Sequence, residues 1–275
     1  FIRDEYFKNK NNFAKLSNLD KKNSIEWSKK RLQLRLSGNI GVDIYYTNQS
    51  AFHSEIKKRA LKKTNLKKVL ICSHEFFDDP NYTGGLLFPD FLEWLNFLGN
   101  YSKSSKYEWY LKNHPDTDEW TKKVTNEFLD NYKHITLIDE KISFLQLKEE
   151  GLKYIFTAHG TVGHECPLLG INVINADINN PHMAYNFNIS PSNTNELRDI
   201  IINLDKLDLT INHEEIYEYY YTAKKMNTND SFIFKSYNDA KKIERDKKIN
   251  MLDIFLNQLD KKKHYEIIET MKNIT

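Results

Sequence analysis

The segment TAHGTVGHECPLLG, at residues 157–170, decides how this chain folds. It follows an apolar run at residues 154–156 that is typical of a buried strand, and a second such run begins at residue 171. A strand, a turn of small residues and a short helix present backbone N–H groups at a helix N-terminus, where an anion binds. We therefore predict an anion site at Gly160 and Thr161, with Gly163 in the same turn. The alternative is a plain strand-to-helix turn whose glycines serve only the backbone geometry.

Two neighbours of this turn extend the prediction. Glu165 lies four residues after Thr161, one helical turn further on, so its carboxylate can accept hydrogen bonds from hydroxyl groups beyond the anion. This arrangement suits a nucleotide, with its phosphate at the turn and its ribose diol on Glu165. His159 directly precedes the helix N-terminus, whose positive dipole disfavours an imidazolium, so we expect His159 to act as a neutral ring.

Strands alternate with helices through the middle of the chain. The apolar runs predict strands at residues 68–72, 107–111, 135–138, 154–157 and 171–175. Between and after them, the periodicity predicts helices at residues 88–98, 117–132, 142–150 and 193–203, with caps at Asp116 or Thr117 and at Ser192 or Asn193. This order is typical of an α/β fold, a Rossmann-like parallel sheet with helices on both faces, in which ligands bind at the carboxyl ends of the strands.

The two ends of the chain are charged and polar. We predict helices at residues 24–36, 50–63, 213–226 and 237–272, and a strand or an extended loop at residues 40–47. The chain therefore divides into three parts. Residues 1–66 are a helical or linker segment, residues 67–204 are a Rossmann-like domain, and residues 205–275 are a C-terminal helical extension.

Three predicted strands end in turns that contain a histidine: His74, His114 and His159. Because the carboxyl ends of parallel strands lie at one edge of the sheet, three histidines there favour a site over three structural rings. Beside His114, Pro115 stops the strand and Lys112 adds a cation, which faces either the site or the solvent. We take His114 as a hydrogen-bond donor to a phosphate and His74 as a second candidate for the chemistry of the site.

The composition narrows the classes of function. Lys and Arg total 40 of the 275 residues and Asp and Glu total 38, so the formal charge of +2 gives no electrostatic reason to expect a dedicated nucleic-acid binder. Cys72 and Cys166 are too few for a disulfide framework, and we expect buried free thiols. The Asp78-Asp79 pair has no evident third ligand, so we predict no metal site. No apolar run approaches the ~20 residues of a membrane span. We predict a cytoplasmic protein and leave a peripheral position at the inner membrane open.

Three motifs together resemble one family. WYLKNHP at residues 109–115, TAHGTVGHE at residues 157–165 and LGINVI at residues 169–174 are similar, in order and spacing, to the C-terminal, donor-binding half of bacterial capsule and surface-polysaccharide glycosyltransferases of the GT-B fold. FLEWL at residues 91–95 resembles the helix before the first motif. The resemblance covers about residues 67–204 of the chain, and Asn172 stands where the family usually has proline.

The resemblance implies a role for several residues. His114 would contact the donor's phosphate, Gly160 and Thr161 would hold phosphate at the helix N-terminus, and Glu165 would bind the ribose. For such a transferase we expect His114 also to donate a proton to the leaving group, and His74 to act as a base on the acceptor side. Enzymes of this fold also have an N-terminal, acceptor-binding half, for which residues 1–66 are too few. Because the chain also begins with Phe1, we expect either a fragment of a longer protein or an unusually reduced acceptor half.

These inferences define a leading function and two alternatives. We predict a metal-independent enzyme without a cofactor, which moves a sugar from a CMP-, UDP- or GDP-linked donor to a glycan or lipid-linked acceptor of a growing capsule or surface polysaccharide. Contact with a membrane or a capsule-assembly complex stays open. The first alternative is a CDP-polyol phosphotransferase of teichoic-acid-like type, although its His-Gly element precedes its His-Pro element, unlike here. The second is a non-catalytic nucleotide-binding domain of a capsule-assembly protein.

Overall fold

The computed structural model describes residues 2–43, 49–55, 58–76, 78, 80, 83–115, 117–207 and 209–226. Over these ranges the chain forms a central sheet with helices on both faces and helical segments before and after it. The strands are β1 Lys68–Cys72, β2 Glu108–Lys112, β3 Ile135–Ile138, β4 Leu152–Thr157 and β5 Asn172–Asn175. The helices are α1 Ile2–Ala14, α2 Asn18–Leu36, α3 Phe91–Ser102, α4 Glu119–Asn131, α5 Phe144–Glu149, α6 Val162–Glu165, α7 Thr194–Ile202 and α8 His213–Tyr221.

The five strands are parallel and lie in the order β3-β2-β1-β4-β5. The order reverses between β1 and β4, and a crevice opens at the carboxyl ends of the strands at such a point. The structure therefore confirms the predicted Rossmann-like α/β fold with helical extensions. All five predicted strands are present, and β2 ends one residue later than predicted, at Lys112. That residue matters for the site, because it decides the face to which Lys112 belongs.

Successive side chains of each strand point to opposite faces of the sheet, and each face has its own apolar core. Val69 and Trp109 pack with Trp94 of α3 on one face, together with residues of α4 and α7. Leu70 packs on the other face with Phe52 of the N-terminal segment and with residues of α5. Each such buried side chain stabilises the fold by about 1.5–3 kcal/mol, so both faces must be covered for the sheet to persist.

The predicted helix at residues 50–63 is wrong, because residues 49–55 and 58–63 are irregular. Tertiary contacts hold this segment in place of helical hydrogen bonds. Phe52 is buried, and the backbone N–H groups of Ala60 and Leu61 donate to the Glu150 carboxylate at 3.0 and 2.7 Å. The backbone donors are thus paired by a side chain about 90 residues away, which the local apolar period does not reveal.

The predicted cap of α4 at Asp116 or Thr117 is also wrong, whereas the cap of α7 is confirmed. Asp118 caps α4 by accepting the N–H of Thr121 at 2.6 Å, and the Thr117 hydroxyl instead donates to the carbonyl oxygen of His114 at 2.5 Å. The loop after β2 is therefore closed by a local turn directly beside His114. Asn193 caps α7, with Glu196 accepting from Ser192.

Helices α2 and α8 pack against each other beside the sheet, through a third apolar cluster that contains Leu32, Ile216 and Tyr220. Asp43 joins the two helices: Arg31 of α2 donates to both carboxylate oxygens at 2.9 Å, and the Tyr220 hydroxyl donates at 2.7 Å. These bonds fix α2 where its C-terminal turn reaches the carboxyl edge of the sheet.

Several predictions fall on residues outside the described ranges. The helix at residues 237–272 and the second half of the strand or loop at residues 40–47 belong to this group. In the part of the chain that the structure describes, no helix has both the length and the apolar character that crossing a membrane requires.

Candidate functional site

A cavity of about 560 Å³ opens at the carboxyl ends of β1, β2 and β4. Its walls come from the turns after these strands and from the N-terminal segment, including Arg35 and residues 39–41 and 49–52. The lining includes the predicted site residues His74, Lys112, His114, Pro115, His159, Gly160, Thr161 and Glu165. Gly163 does not line the cavity; a Cβ atom there would overlap the ring of His182. Gly163 thus allows a close contact behind the site.

His74 and His159 follow the two strands between which the sheet order reverses. Their ring centroids are 4.7 Å apart, and the His74 ring stacks on Phe91 at 4.8 Å. Nε2 of His74 lies 3.4 Å from the backbone nitrogen of His159, whose N–H donates to it, and 3.2 Å from the hydroxyl oxygen of Thr157. Burial lowers the pKa of His74 to about 3, so the ring is neutral at physiological pH.

The turn after β4 presents backbone donors to the cavity. Gly160 has φ +125°, a conformation that favours glycine, although a Cβ atom there would meet nothing within 4 Å. No described residue accepts a hydrogen bond from the N–H groups of Gly160, Thr161 or Val162. Helix α6 has only four residues, so its dipole is small. The capacity of this turn for an anion lies in the unpaired N–H groups.

Lys112 belongs to the cavity and not to the solvent. It is buried at the end of β2, and its Nζ atom lies 5.1 Å from the centroid of the Phe144 ring. Among the described residues it makes no hydrogen bond and no ion pair. Burial lowers its pKa, because an ammonium group loses its hydration there. A buried cation without a partner favours an anionic ligand in the cavity.

Glu165 is buried and already has a partner. Nε of Arg35 donates to Oε1 of Glu165 at 2.5 Å, and Nη1 of Arg35 donates to the carbonyl oxygen of Val42 at 2.8 Å. Burial raises the pKa of Glu165, and the guanidinium of Arg35 opposes this rise. The Thr161 side chain also forms a hydrogen bond with this carboxylate and opposes the rise of its pKa, and Glu165 lines the cavity.

Asp177, just after β5, faces His159. The bonds from Ala176 N to Thr157 O at 2.8 Å and from Asp177 N to Ala158 O at 3.1 Å extend the pairing of β4 with β5. They bring Oδ2 of Asp177 to 3.5 Å from Nδ1 of His159, while the Asp177 side chain is completely buried. This separation is slightly longer than a hydrogen bond.

Two residues of the site, Arg35 and Asp177, are not among the site residues predicted from the sequence. Arg35 lies 130 residues before Glu165, and no motif connects them. Asp177 stands in a polar stretch after β5 whose many asparagines carry little information. Asp177 could have been found from its position two residues after the end of β5. A carboxylate there lies at the same edge of the sheet as the histidines.

The two cysteines behave as predicted. Cys72 and Cys166 are free and buried. Burial raises the pKa of Cys72 to about 12 and that of Cys166 as well, so neither thiol is a nucleophile at neutral pH. The described residues contain no cluster of His, Cys, Asp and Glu side chains that could hold a metal ion.

Comparison with known proteins gives similarity to solved structures alone. No protein-family model and no curated protein matches the chain. The chain is similar to Thermosulfurimonas dismutans KpsC, a beta Kdo 2,4 transferase, with 14% identity over 72% of this chain and 55% of that chain and a TM-score of 0.43. It is similar to the UDP-GlcNAc 2-epimerase from Neisseria meningitidis, with 16% identity over 64% of this chain and 45% of that chain and a TM-score of 0.37. It is also similar to the S. aureus MnaA-UDP co-structure, with 14% identity over 72% of this chain and 50% of that chain and a TM-score of 0.34.

The chain spans about half the length of these solved structures. Its class rests on its own strand order and residues: a doubly wound α/β protein with a cavity at the point where the order reverses. The cavity combines unpaired backbone donors, a buried cation and three histidines. This combination is suited to a phosphate-bearing ligand.

Three buried histidines make stability depend on pH. His164 and His182 are buried together, with His164 Nδ1 and His182 Nε2 3.2 Å apart, and burial lowers the pKa of His182 to about 3 and that of His164 strongly. With His74 they remain neutral in the folded protein, whereas in the unfolded chain they titrate near 6.5. Below that pH the unfolded state binds more protons than the folded state. The free energy of unfolding therefore decreases as the pH is lowered from about 6.5 to about 3.

We expect His182→Asn to flatten this dependence by up to ~1.4 kcal/mol per pH unit. Urea unfolding at pH values between about 7.5 and about 4.5 measures this change in the pH dependence of stability. The control is His213→Asn, at an exposed position in the first turn of α8. An unchanged slope in His182→Asn would contradict the assignment of a neutral, buried ring.

We expect Arg35→Met to destabilise the protein by ~3–5 kcal/mol, because it leaves the Glu165 carboxylate buried without its cation. The double variant Arg35→Met/Glu165→Met should recover much of this loss, since no unpaired charge remains. Arg198→Met is the control: its partner Asp199 is exposed, and such a pair contributes ~0–1 kcal/mol. Equal losses in Arg35→Met and Arg198→Met, measured by denaturant unfolding, would show that the ion pair does not anchor α2.

Proposed function

We propose that this chain is the donor-binding part of a metal-independent glycosyltransferase, which moves a sugar from a nucleotide-linked donor to a glycan or lipid-linked acceptor of a capsule or surface polysaccharide. The observation that carries the proposal is Lys112, a buried lysine without a hydrogen bond or ion pair among the described residues, in the same cavity as the unpaired N–H groups after β4. The family resemblance of residues 109–115, 157–165 and 169–174 supports the nucleotide sugar as the ligand.

The chemistry requires stabilisation of a departing phosphate. In sugar transfer, the bond between the anomeric carbon and the phosphate oxygen breaks, and the electron pair stays on the phosphate. Lys112, His114 and the N–H groups of Gly160 and Thr161 are donors that line one cavity. Preorganised donors stabilise the developing charge without reorganisation, so in this proposal they take the part that a metal ion has in other transferases.

The roles of Glu165 and His74 follow from their surroundings. Arg35 holds Oε1 of Glu165, and we assign the rest of the carboxylate to the ribose hydroxyls. A ring with a pKa of about 3 accepts protons poorly at neutral pH, so we assign His74 to positioning His159 rather than to proton abstraction. In this proposal the base for the acceptor hydroxyl comes from another group.

The test is calorimetric titration with UDP-glucose, GDP-mannose and CMP-N-acetylneuraminate in the presence of EDTA. We expect one of these donors to bind in the micromolar to millimolar range. Lys112→Met should weaken binding at least about tenfold, since a charge-assisted contact contributes ~1.5–3 kcal/mol. Lys122→Met is the matched control, because Lys122 is a surface lysine of α4 paired with Glu119.

Two outcomes would contradict the proposed function. The first is that none of the donors binds to the wild-type chain with or without EDTA. The second is that Lys112→Met and Lys122→Met bind the donor equally well, which would place the phosphate away from the end of β2.

A further inference from the structure

His159 is held between a buried carboxylate and the cavity. Its Nδ1 atom is fully buried, makes no hydrogen bond and lies 3.5 Å from Oδ2 of Asp177. The ring lines the cavity, the side chain is 21% exposed, and Nε2 makes no hydrogen bond with any described residue. One ring nitrogen thus faces a carboxylate and the other is available to a ligand.

We propose that Asp177 is a positioning residue that directs Nδ1 of His159 towards its carboxylate, so that Nε2–H of a cationic His159 binds the phosphate of the nucleotide donor. This inference rests on the proposed function, and it replaces the sequence-based expectation that His159 acts as a neutral ring. The His159 proton is not transferred in this scheme. It is a hydrogen-bond donor to the phosphate oxygen on which the electron pair of the broken bond remains.

The surroundings of His159 decide which charge it can carry. From the β1 side, His74 contacts it as a neutral ring, so no second imidazolium competes. From the β5 side, Asp177 is the facing carboxylate, and His182 behind the turn is neutral because it is buried. The other charged or titratable groups that line the cavity are Arg35, Cys72, Glu75, Asp78, Lys112, His114 and Glu165. An anionic ligand adds negative charge on the side of Nε2, which favours the cation at His159.

The simplest structural role of Asp177 is to connect the loop of Thr83 and the loop of Asn179 by hydrogen bonds. Oδ2 accepts a short hydrogen bond from the Thr83 hydroxyl, and Oδ1 accepts the N–H of Asn179 at 2.8 Å. An asparagine at position 177 keeps both contacts, because its oxygen accepts from Asn179 and its amide donates to the Thr83 oxygen. Asp177→Asn therefore removes the charge but keeps the hydrogen bonds to Thr83 and Asn179. Thr83→Val does the reverse, since it removes the hydroxyl and keeps the carboxylate.

The experiment has two measurements on the full chain. The first is ¹⁵N NMR of the histidine side chains without ligand, with His159→Gln to assign the signals; the proposal predicts a proton on Nδ1 of His159 in the wild type and in Thr83→Val. The second is the affinity for UDP-glucose, GDP-mannose and CMP-N-acetylneuraminate between pH 8 and pH 6, since the phosphates of these donors do not titrate there. Binding by the wild type and Thr83→Val should strengthen about tenfold over this range, and Asp177→Asn should change less than about twofold.

The outcomes separate the two claims. Equal pH dependence in the wild type and Asp177→Asn, or a proton on Nε2 alone in the unliganded wild type, would overturn the role of Asp177 while the donor still binds. Absence of binding by all three donors would overturn the proposed function and this inference with it. Loss of the pH dependence in Thr83→Val as well as Asp177→Asn, with matching losses in thermal stability, would reduce Asp177 to its structural role.

Discussion

The reversal of strand order between β1 and β4 is the constraint on which the site depends. Because all strands are parallel, their carboxyl ends lie at one edge, and the chain leaves β1 and β4 towards opposite sides of the sheet. The turns after these strands therefore cannot cover each other, and a cavity remains between them. Its walls carry His74 from one turn and His159 with its backbone donors from the other. The N-terminal segment closes the cavity from outside, with α2 held in place by the pair of Arg35 and Glu165.

The buried charges of this edge are distributed unequally. Glu165 has its cation in Arg35, and Asp177 accepts hydrogen bonds from the Thr83 hydroxyl and the Asn179 N–H, so each carboxylate has partners within the protein. Lys112 has no comparable partner among the described residues. Burying an ammonium group without a counter-charge is unfavourable, and folded proteins retain such groups chiefly where a ligand provides that charge. The same reasoning explains the neutral rings of His74, His164 and His182, because burial disfavours their imidazolium forms and lowers each pKa.

The regular part of the fold was predictable because each strand is a short apolar run bounded by turn residues, and all five are present. The site was predictable to the extent that it lies at strand ends, which the parallel order brings together. Contacts between distant segments were not. The irregular segment at residues 50–63 exchanges helical bonds for those of Glu150, and Arg35 reaches a carboxylate 130 residues away. A one-residue difference at the end of β2 left the face of Lys112 open, because side chains alternate along a strand.

The most direct test of the account is to map a bound donor on the chain by the changes in backbone amide chemical shifts during titration with a nucleotide sugar. The account predicts the largest changes at Gly160, Thr161 and Val162, whose N–H groups are unpaired, with smaller changes at the ends of β1 and β2. Changes confined to other surfaces, such as the exposed side of α1, would contradict it. So would a donor that binds while these three amides keep their free positions, because the phosphate would then lie away from the turn after β4.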